Sequence, residues 1–211
     1  MAEILQLARL LSSLPGEEWD GSTIARVSWE RRIFMEGDEK AAKLLPGRHA
    51  HAYLRQAECV LPCGGMTEIL RVMMFLKGHL NKDRVDCSRD GDAYAPERLC
   101  AQGMWKISPL SREIWHWKEK GAKFSLEEIL DFVQAAGDSN SIHKGRMPVV
   151  PGLLLLLRLL AAFPAERAEL RFRHAIFAGE QVVLRCPSIS GSRAIFDIYA
   201  TDRSAMDGWN R

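Results

Sequence analysis

The run from Gly152 to Phe163, GLLLLLRLLAAF, is apolar apart from Arg158 and constrains the chain more than any other stretch. A helix that is hydrophobic nearly all round must be buried by its surroundings, so this segment is expected inside the fold with protein on every side. It is too short to span a bilayer, which takes about 20 apolar residues. Its leading backbone N–H groups have no intrahelical partner, and Gly152 would let a ligand approach them closely. A carbonyl oxygen developing negative charge could be held there, with each such donor worth roughly 3 kcal/mol of barrier.

The segment before it reads as a capped amphipathic helix followed by a turn. Ser125 stands three residues before Glu128, the spacing of a capping box. Leu126, Ile129, Leu130 and Val133 recur at helical intervals and are expected to form the inward face. Gly137 is a natural helix stop, and Asp138, Ser139 and Asn140 are good turn formers. Taken alone, that is a helix end and a turn. With His143 added, a carboxylate and an imidazole five residues apart can address one water molecule, one taking its proton and the other orienting it.

Gly137, Asp138, Asn140 and His143 in GDSNSIH, followed by PVVPGLLLL and RFRHAIFAGEQVVL, resemble the MaoC-like dehydratases and (R)-specific enoyl-CoA hydratases. The hydratase motif of that family is Gly-Asp-x-Asn-Pro-x-His, and Ser141 stands where it has proline. The resemblance covers about residues 122 to 202. It implies a hotdog fold, an antiparallel sheet wrapped around a central apolar helix. It also implies reversible hydration of trans-2-enoyl thioesters, or dehydration of (R)-3-hydroxyacyl thioesters, in fatty acid or polyketide metabolism. Asp138 and His143 would be the catalytic pair, the Gly152 N–H the oxyanion donor, and Gly137 and Asn140 the loop supports. The chemistry needs no metal or redox cofactor. The acyl group would arrive on CoA or an acyl carrier protein, with Lys144, Arg146, Arg171 and Arg173 near the phosphate of its pantetheine arm. A homodimer is implied, unless the amino-terminal half supplies a second hotdog internally.

With 211 residues the chain can bury a full core as one domain or two small ones. A division into 1–103, either an extension or a degenerate hotdog half, and 104–211, the hotdog domain, is expected. The formal charge of +2 is spread along the length, which argues against a nucleic-acid surface. MAEILQLARLLSSLPGEE has no cationic region ahead of an apolar stretch, so it reads as an amphipathic helix of a cytoplasmic protein, with no membrane association, rather than as a secretory signal. Five irregularly spaced cysteines, Cys59, Cys63, Cys87, Cys100 and Cys186, do not suggest a disulfide framework. Zinc held by Cys59, Cys63 and Cys87 with His49 and His51 lacks a supporting ligand pair, and Cys63 beside Gly64 reads as a core or turn thiol.

Residues 22–34 and 49–61 read as strands, and Met66 to Leu76 as a mostly apolar helix. That helix, following LPCGG, faintly echoes the later one following VVPG, as a degenerate double hotdog would. Residues 81–103, with Asp90-Gly91-Asp92, read as a connecting loop without EF-hand spacing. His116 between Trp115 and Trp117 reads as a strand position. Three later strands are expected, with Leu170, Phe172 and Ile176 opposing Glu169, Arg171 and Arg173, then QVVLRC, then RAIFDIYAT with Ala194, Phe196, Ile198 and Ala200 on one face. Two other functions compete with hydration: a hotdog thioesterase, and a non-catalytic acyl-binding or assembly subunit.

Overall fold

The computed structural model describes residues 2–14, 20–45, 54–76, 97–107 and 119–201. Helix α1 (Ala2–Ser12) precedes strands β1 (Thr23–Ile33), β2 (Ala41–Leu45), β3 (Leu54–Cys63), β4 (Met66–Phe75), β5 (Arg98–Lys106) and β6 (Glu119–Lys123). Helix α2 (Leu126–Ala136), a 3-10 turn (Ser141–His143) and helix α3 (Gly152–Ala162) follow, then β7 (Arg167–Phe172), β8 (Gln181–Ser190) and β9 (Arg193–Thr201). Among the described residues the strands form one antiparallel sheet, ordered β2-β3-β4-β1-β7-β5-β9-β8-β6.

The hotdog expectation, single or double, is therefore corrected: the sheet dominates, and among the described residues there is no long central helix for it to wrap. The apolar helix α3 has 11 residues, a length of about 16 Å at 1.5 Å per residue. It is also not buried on every side, because Arg158 and Ala161 are exposed. Arg158 Nε donates to Glu128 Oε1 at 2.5 Å, and its guanidinium lies 5.6 Å from the centre of the Phe124 ring. Met66–Phe75, expected as a helix, is the strand between β3 and β1. An apolar run cannot be assigned to strand or helix by periodicity when both faces of a strand are covered. The echo between two apolar helices disappears with it.

Gly64 and Gly65 form the two-residue turn between β3 and β4, at φ +58 and +78. Positive φ at both centres matches the right-handed twist of the strands they join. Cys63 is thus an exposed strand end rather than a residue at a helix start.

The two faces of the sheet differ in chemistry because side chains alternate across it. One row runs Ala57, Val72, Val27, Leu170, Gly103 and Phe196 across six strands, and it belongs to the core shared with Leu7 of α1, Ile129 of α2 and Leu156 of α3. A Cβ at Gly103 would lie 2.0 Å from the Phe196 ring, so that row has space for the ring only because position 103 lacks a side chain. The neighbouring row carries Glu58, Arg71, Ser28 and Glu169. There Arg71 Nε donates to Glu58 at 2.7 Å, and Arg26 Nη2 and Arg171 Nε donate to Glu169 at 2.6 and 2.8 Å. Burial pushes the Glu169 carboxyl upward, but the two arginines outweigh it and hold it below the usual range.

Strands β1–β4 occupy one end of the sheet and β5–β9 the other, joined where β1 pairs with β7. Residue 103 lies within β5. The alternation expected of β9 is present, with Ala194, Phe196, Ile198 and Ala200 all buried. In β7, Leu170 is buried as expected, but so is Glu169, and Ile176 lies beyond the strand in the segment leading to the Gly179 turn. His49, His51, Cys87, Asp90, Gly91, Asp92, Trp115, His116 and Trp117 lie outside the described residues. Among the described residues no helix is long and apolar enough to cross a membrane.

Candidate active site

Helix α2 ends in a way that fixes the residue after it. Ser125 accepts from Glu128 N at 3.0 Å at the amino end. At the other end Gly137, at φ +67, donates to Gln134 O at 3.2 Å, while Asp138 N donates to Val133 O at 2.9 Å. This is the paired Schellman closure, which needs a left-handed residue at the position of Gly137. Asp138 therefore leaves the helix in a set direction.

The turn that follows is held from within and from a distance. Asp138 Oδ1 accepts from Asn140 N at 2.9 Å. Asn140 Oδ1 accepts from Ile142 N at 3.3 Å and from Gly21 N at 2.8 Å, and its Nδ2 donates to Ser22 O at 2.9 Å. Ser141 N donates to Asp20 Oδ1 at 2.7 Å. Arg9 Nε of α1 reaches Ala135 O at 2.6 Å, on the last turn of α2.

His143 is buried, at 6% exposure, and its Nδ1 lies 2.7 Å from Val149 O. A carbonyl can only accept, so Nδ1 carries the hydrogen and Nε2 is turned to the chemistry. That Nε2 lies 3.5 Å from Asp138 Oδ2. The separation is long for a direct hydrogen bond and leaves the two groups able to share a water or a substrate hydroxyl. Val149 is fixed in turn by donating to Ile142 O at 3.0 Å and by a bridge to Phe177.

Both side chains open into a cavity of about 970 Å³ at one end of the β1–β7 seam. Its walls include Leu11 of α1 and Leu14 just after it, Ile24 and Met74 from the sheet, Phe132 and Ala136 of α2, and the segment 172–177. That last segment is held by Arg173 N and His174 N donating to Cys100 O at 2.8 and 3.2 Å, and by Arg98 Nη2 donating to Ala175 O at 3.0 Å. Burial raises the Cys100 thiol above its ordinary value, which makes it a core thiol rather than a nucleophile.

Gly152 lines the same cavity at the start of α3. Leu155 N is the first amide to bond back into the helix, to Pro151 O at 3.1 Å, so the amides of Gly152, Leu153 and Leu154 precede the ladder. Packing gives a further reason for glycine here. A Cβ here would meet Phe172 Cζ at 3.0 Å and Ile24 Cδ1 at 3.3 Å, so close packing by these two side chains occupies the space beside the Cα.

Of the cations expected at the mouth, Arg173 lines the cavity and donates to Gln102 Oε1 at 2.7 Å. Arg171 is committed to Glu169, and Lys144 and Arg146 are exposed on the turn after His143. Asp138, His143, Asn140, Gly152 and Arg173 thus border one space, while Lys144, Arg146 and Arg171 do not line it. Sequence reasoning missed Asp20, Gly21, Ser22, Ile24 and Val149. Nothing local marks the first four, because their partners in the turn and in α3 lie more than a hundred positions away. Among the described residues no group of three or more His, Cys, Asp or Glu is arranged to hold a metal ion.

No protein-family model matches this chain, and no curated protein matches it.

Proposed function

We propose that the chain catalyses reversible hydration of trans-2-enoyl thioesters and the reverse dehydration of (R)-3-hydroxyacyl thioesters, as the motif resemblance to MaoC-like enzymes implies. The observation that carries this reading is the 3.5 Å approach of Asp138 Oδ2 and His143 Nε2 beside a 970 Å³ cavity that the first residue of α3 also lines. In the hydration direction Asp138 takes a proton from a water held between the two groups, and that oxygen bonds to C3 of the enoyl group. The C2–C3 π electrons move toward the thioester carbonyl, and the Gly152 N–H at the cavity wall stabilises the enolate charge. His143 relays the proton to C2, which restores the carbonyl. The apolar walls accept the acyl chain, and Arg173 provides the one cation of the four at the lining for an anionic carrier, either CoA or an acyl carrier protein. The setting we infer is cytoplasmic, consistent with free thiols at Cys59, Cys63 and Cys100.

The test is loss of enoyl-thioester absorbance on incubation with crotonyl-CoA and with longer enoyl-CoA and carrier-bound substrates. Asp138→Asn and His143→Ala are each expected to lower turnover by about 10² to 10⁴. Turnover that survives both substitutions removes the assignment.

A further inference from the structure

The turn bearing the candidate pair is tied to the segment before β1 by three long-range hydrogen bonds, and one of them has a particular origin. Ser141 donates its backbone N–H to Asp20 Oδ1 at 2.7 Å. The hydratase motif places proline at this position, and proline has no N–H to give. The bond to Asp20 is available only because residue 141 is not proline. Beside it, Gly21 N and Ser22 O satisfy the two ends of the Asn140 amide at 2.8 and 2.9 Å. Asn140 N in turn binds Asp138 Oδ1 at 2.9 Å. The contacts run without a gap from Asp20 to the carboxylate proposed as base, and Asp20 borders the same cavity.

We propose that Asp20 is a positioning residue, a carboxylate supplied by the amino-terminal half that holds the Ser141 amide and so fixes the 138–143 turn with Asp138 and His143 facing each other. The proposal rests on the hydration reading for its kinetic consequences, but the geometry it claims does not depend on that reading. Asp20 is exposed, so its carboxylate does little for the core, and its Oδ1 is held by the Ser141 amide of the turn. A misplacement of about 1 Å in a catalytic group costs on the order of 10² in rate.

The test compares Asp20→Ala, Asp20→Asn and Ser141→Pro in the full chain, each checked for folding by its thermal midpoint. Asparagine keeps an acceptor oxygen while removing the charge, and Ser141→Pro removes the same bond from the donor side. With wild-type turnover established on crotonyl-CoA, Asp20→Ala is expected to lower kcat by about 10²-fold with little change in KM. Asp20→Asn should recover to within about fivefold of wild type, the difference between a charged and a neutral acceptor. The double variant Asp20→Ala/Ser141→Pro should be no slower than the worse single one, because both delete one contact. An Asp20→Ala enzyme with undiminished kcat overturns the proposal, and so does an equal loss in the alanine and asparagine variants. Should wild type be inert on every enoyl thioester, the hydration reading fails and the positioning claim is read separately, from the Cε1–Hε1 resonance of His143. That resonance should move in Asp20→Ala and return in Asp20→Asn, and a resonance unmoved by alanine refutes the claim. Should Asp20→Ala not fold, Ser141→Pro against wild type decides by the same two readouts.

Discussion

Gly137→Ala tests the geometry from which the site departs. The residue sits at φ +67, and nothing lies within 4 Å of the position its Cβ would take, so the substitution adds backbone strain without a steric clash. A side chain in the left-handed region costs roughly 1–2 kcal/mol. Alanine also stiffens the unfolded chain, which returns about 0.4–1 kcal/mol. The net loss should be about 1 kcal/mol, small enough to leave the protein folded at 25 °C. For a chain of this length that corresponds to a fall of about 2–4 °C in the thermal midpoint. The urea midpoint should drop with an unchanged slope, since the surface exposed on unfolding is the same. Gly137→Asn should lose less, because asparagine tolerates this conformation through local hydrogen bonding. Relaxing the strain moves Asp138, whose N–H reaches Val133 O at 2.9 Å only through the left-handed residue before it. Enoyl-thioester turnover should therefore fall by about 10²-fold, far out of proportion to the stability change. An alanine variant as stable as wild type would refute the reasoning, because glycine would then not be needed to close the helix.

Two other outcomes follow from groups outside the cavity. Cys63 is exposed, whereas burial pushes the Cys59 thiol up to about 12, with Glu58 adding to the effect. Mass mapping after brief alkylation near pH 8 should find Cys63 modified and Cys59 protected until the protein is unfolded, and early labelling of Cys59 would contradict the placement of β3. Asp38 is held at about 2, against an ordinary value of 3.8, by Arg32 first and then by the Thr67 hydroxyl and the Met35 N–H. A carboxyl depressed on folding contributes stability that is present above the unfolded value and lost as pH falls through the folded one. The stability difference between wild type and Asp38→Asn in urea should therefore be full at pH 5 and shrink toward pH 2, and a difference constant over that range would count against these contacts.

How far the sequence could be read depended on how local each signal was. The α2 cap was legible because Ser125 and Glu128 are three residues apart, and Gly137 stopped the helix as expected. The inward face was only half legible. Ile129 and Val133 are buried, but the stripe continues through Phe132 and Ala136, while Leu126 and Leu130 stand 49% and 40% exposed. Exposed leucines are common, so hydrophobicity alone could not rotate the helix correctly. Strand β9 was legible because one of its faces is apolar and the other mixed, and a period of two appears in the letters. Strand β4 was not, because with Thr67 and Glu68 both buried neither of its faces shows the alternation. Glu68 is accommodated there by Trp29 Nε1 at 3.2 Å and Arg31 Nε at 2.9 Å, a partnership visible only once β1 is known to lie beside β4.

The same distinction explains why the candidate pair could be picked out in the sequence and its setting could not. Asp138, Asn140 and His143 fall within six residues, so their chemistry could be judged from spacing alone. Their orientation depends on Asp20, Gly21 and Ser22, which lead into β1, the strand that pairs with β7 at the seam between the two ends of the sheet. Ile24 and Phe172 belong to those same two strands, and together they set how closely the start of α3 can approach. One pairing thus brings together the support for the turn and the packing of the helix end. The candidate pair needs no sheet wrapped around a helix: it needs a strand from each end of the sheet in register, with the turn that carries Asp138 and His143 and the start of α3 at the same end of that register.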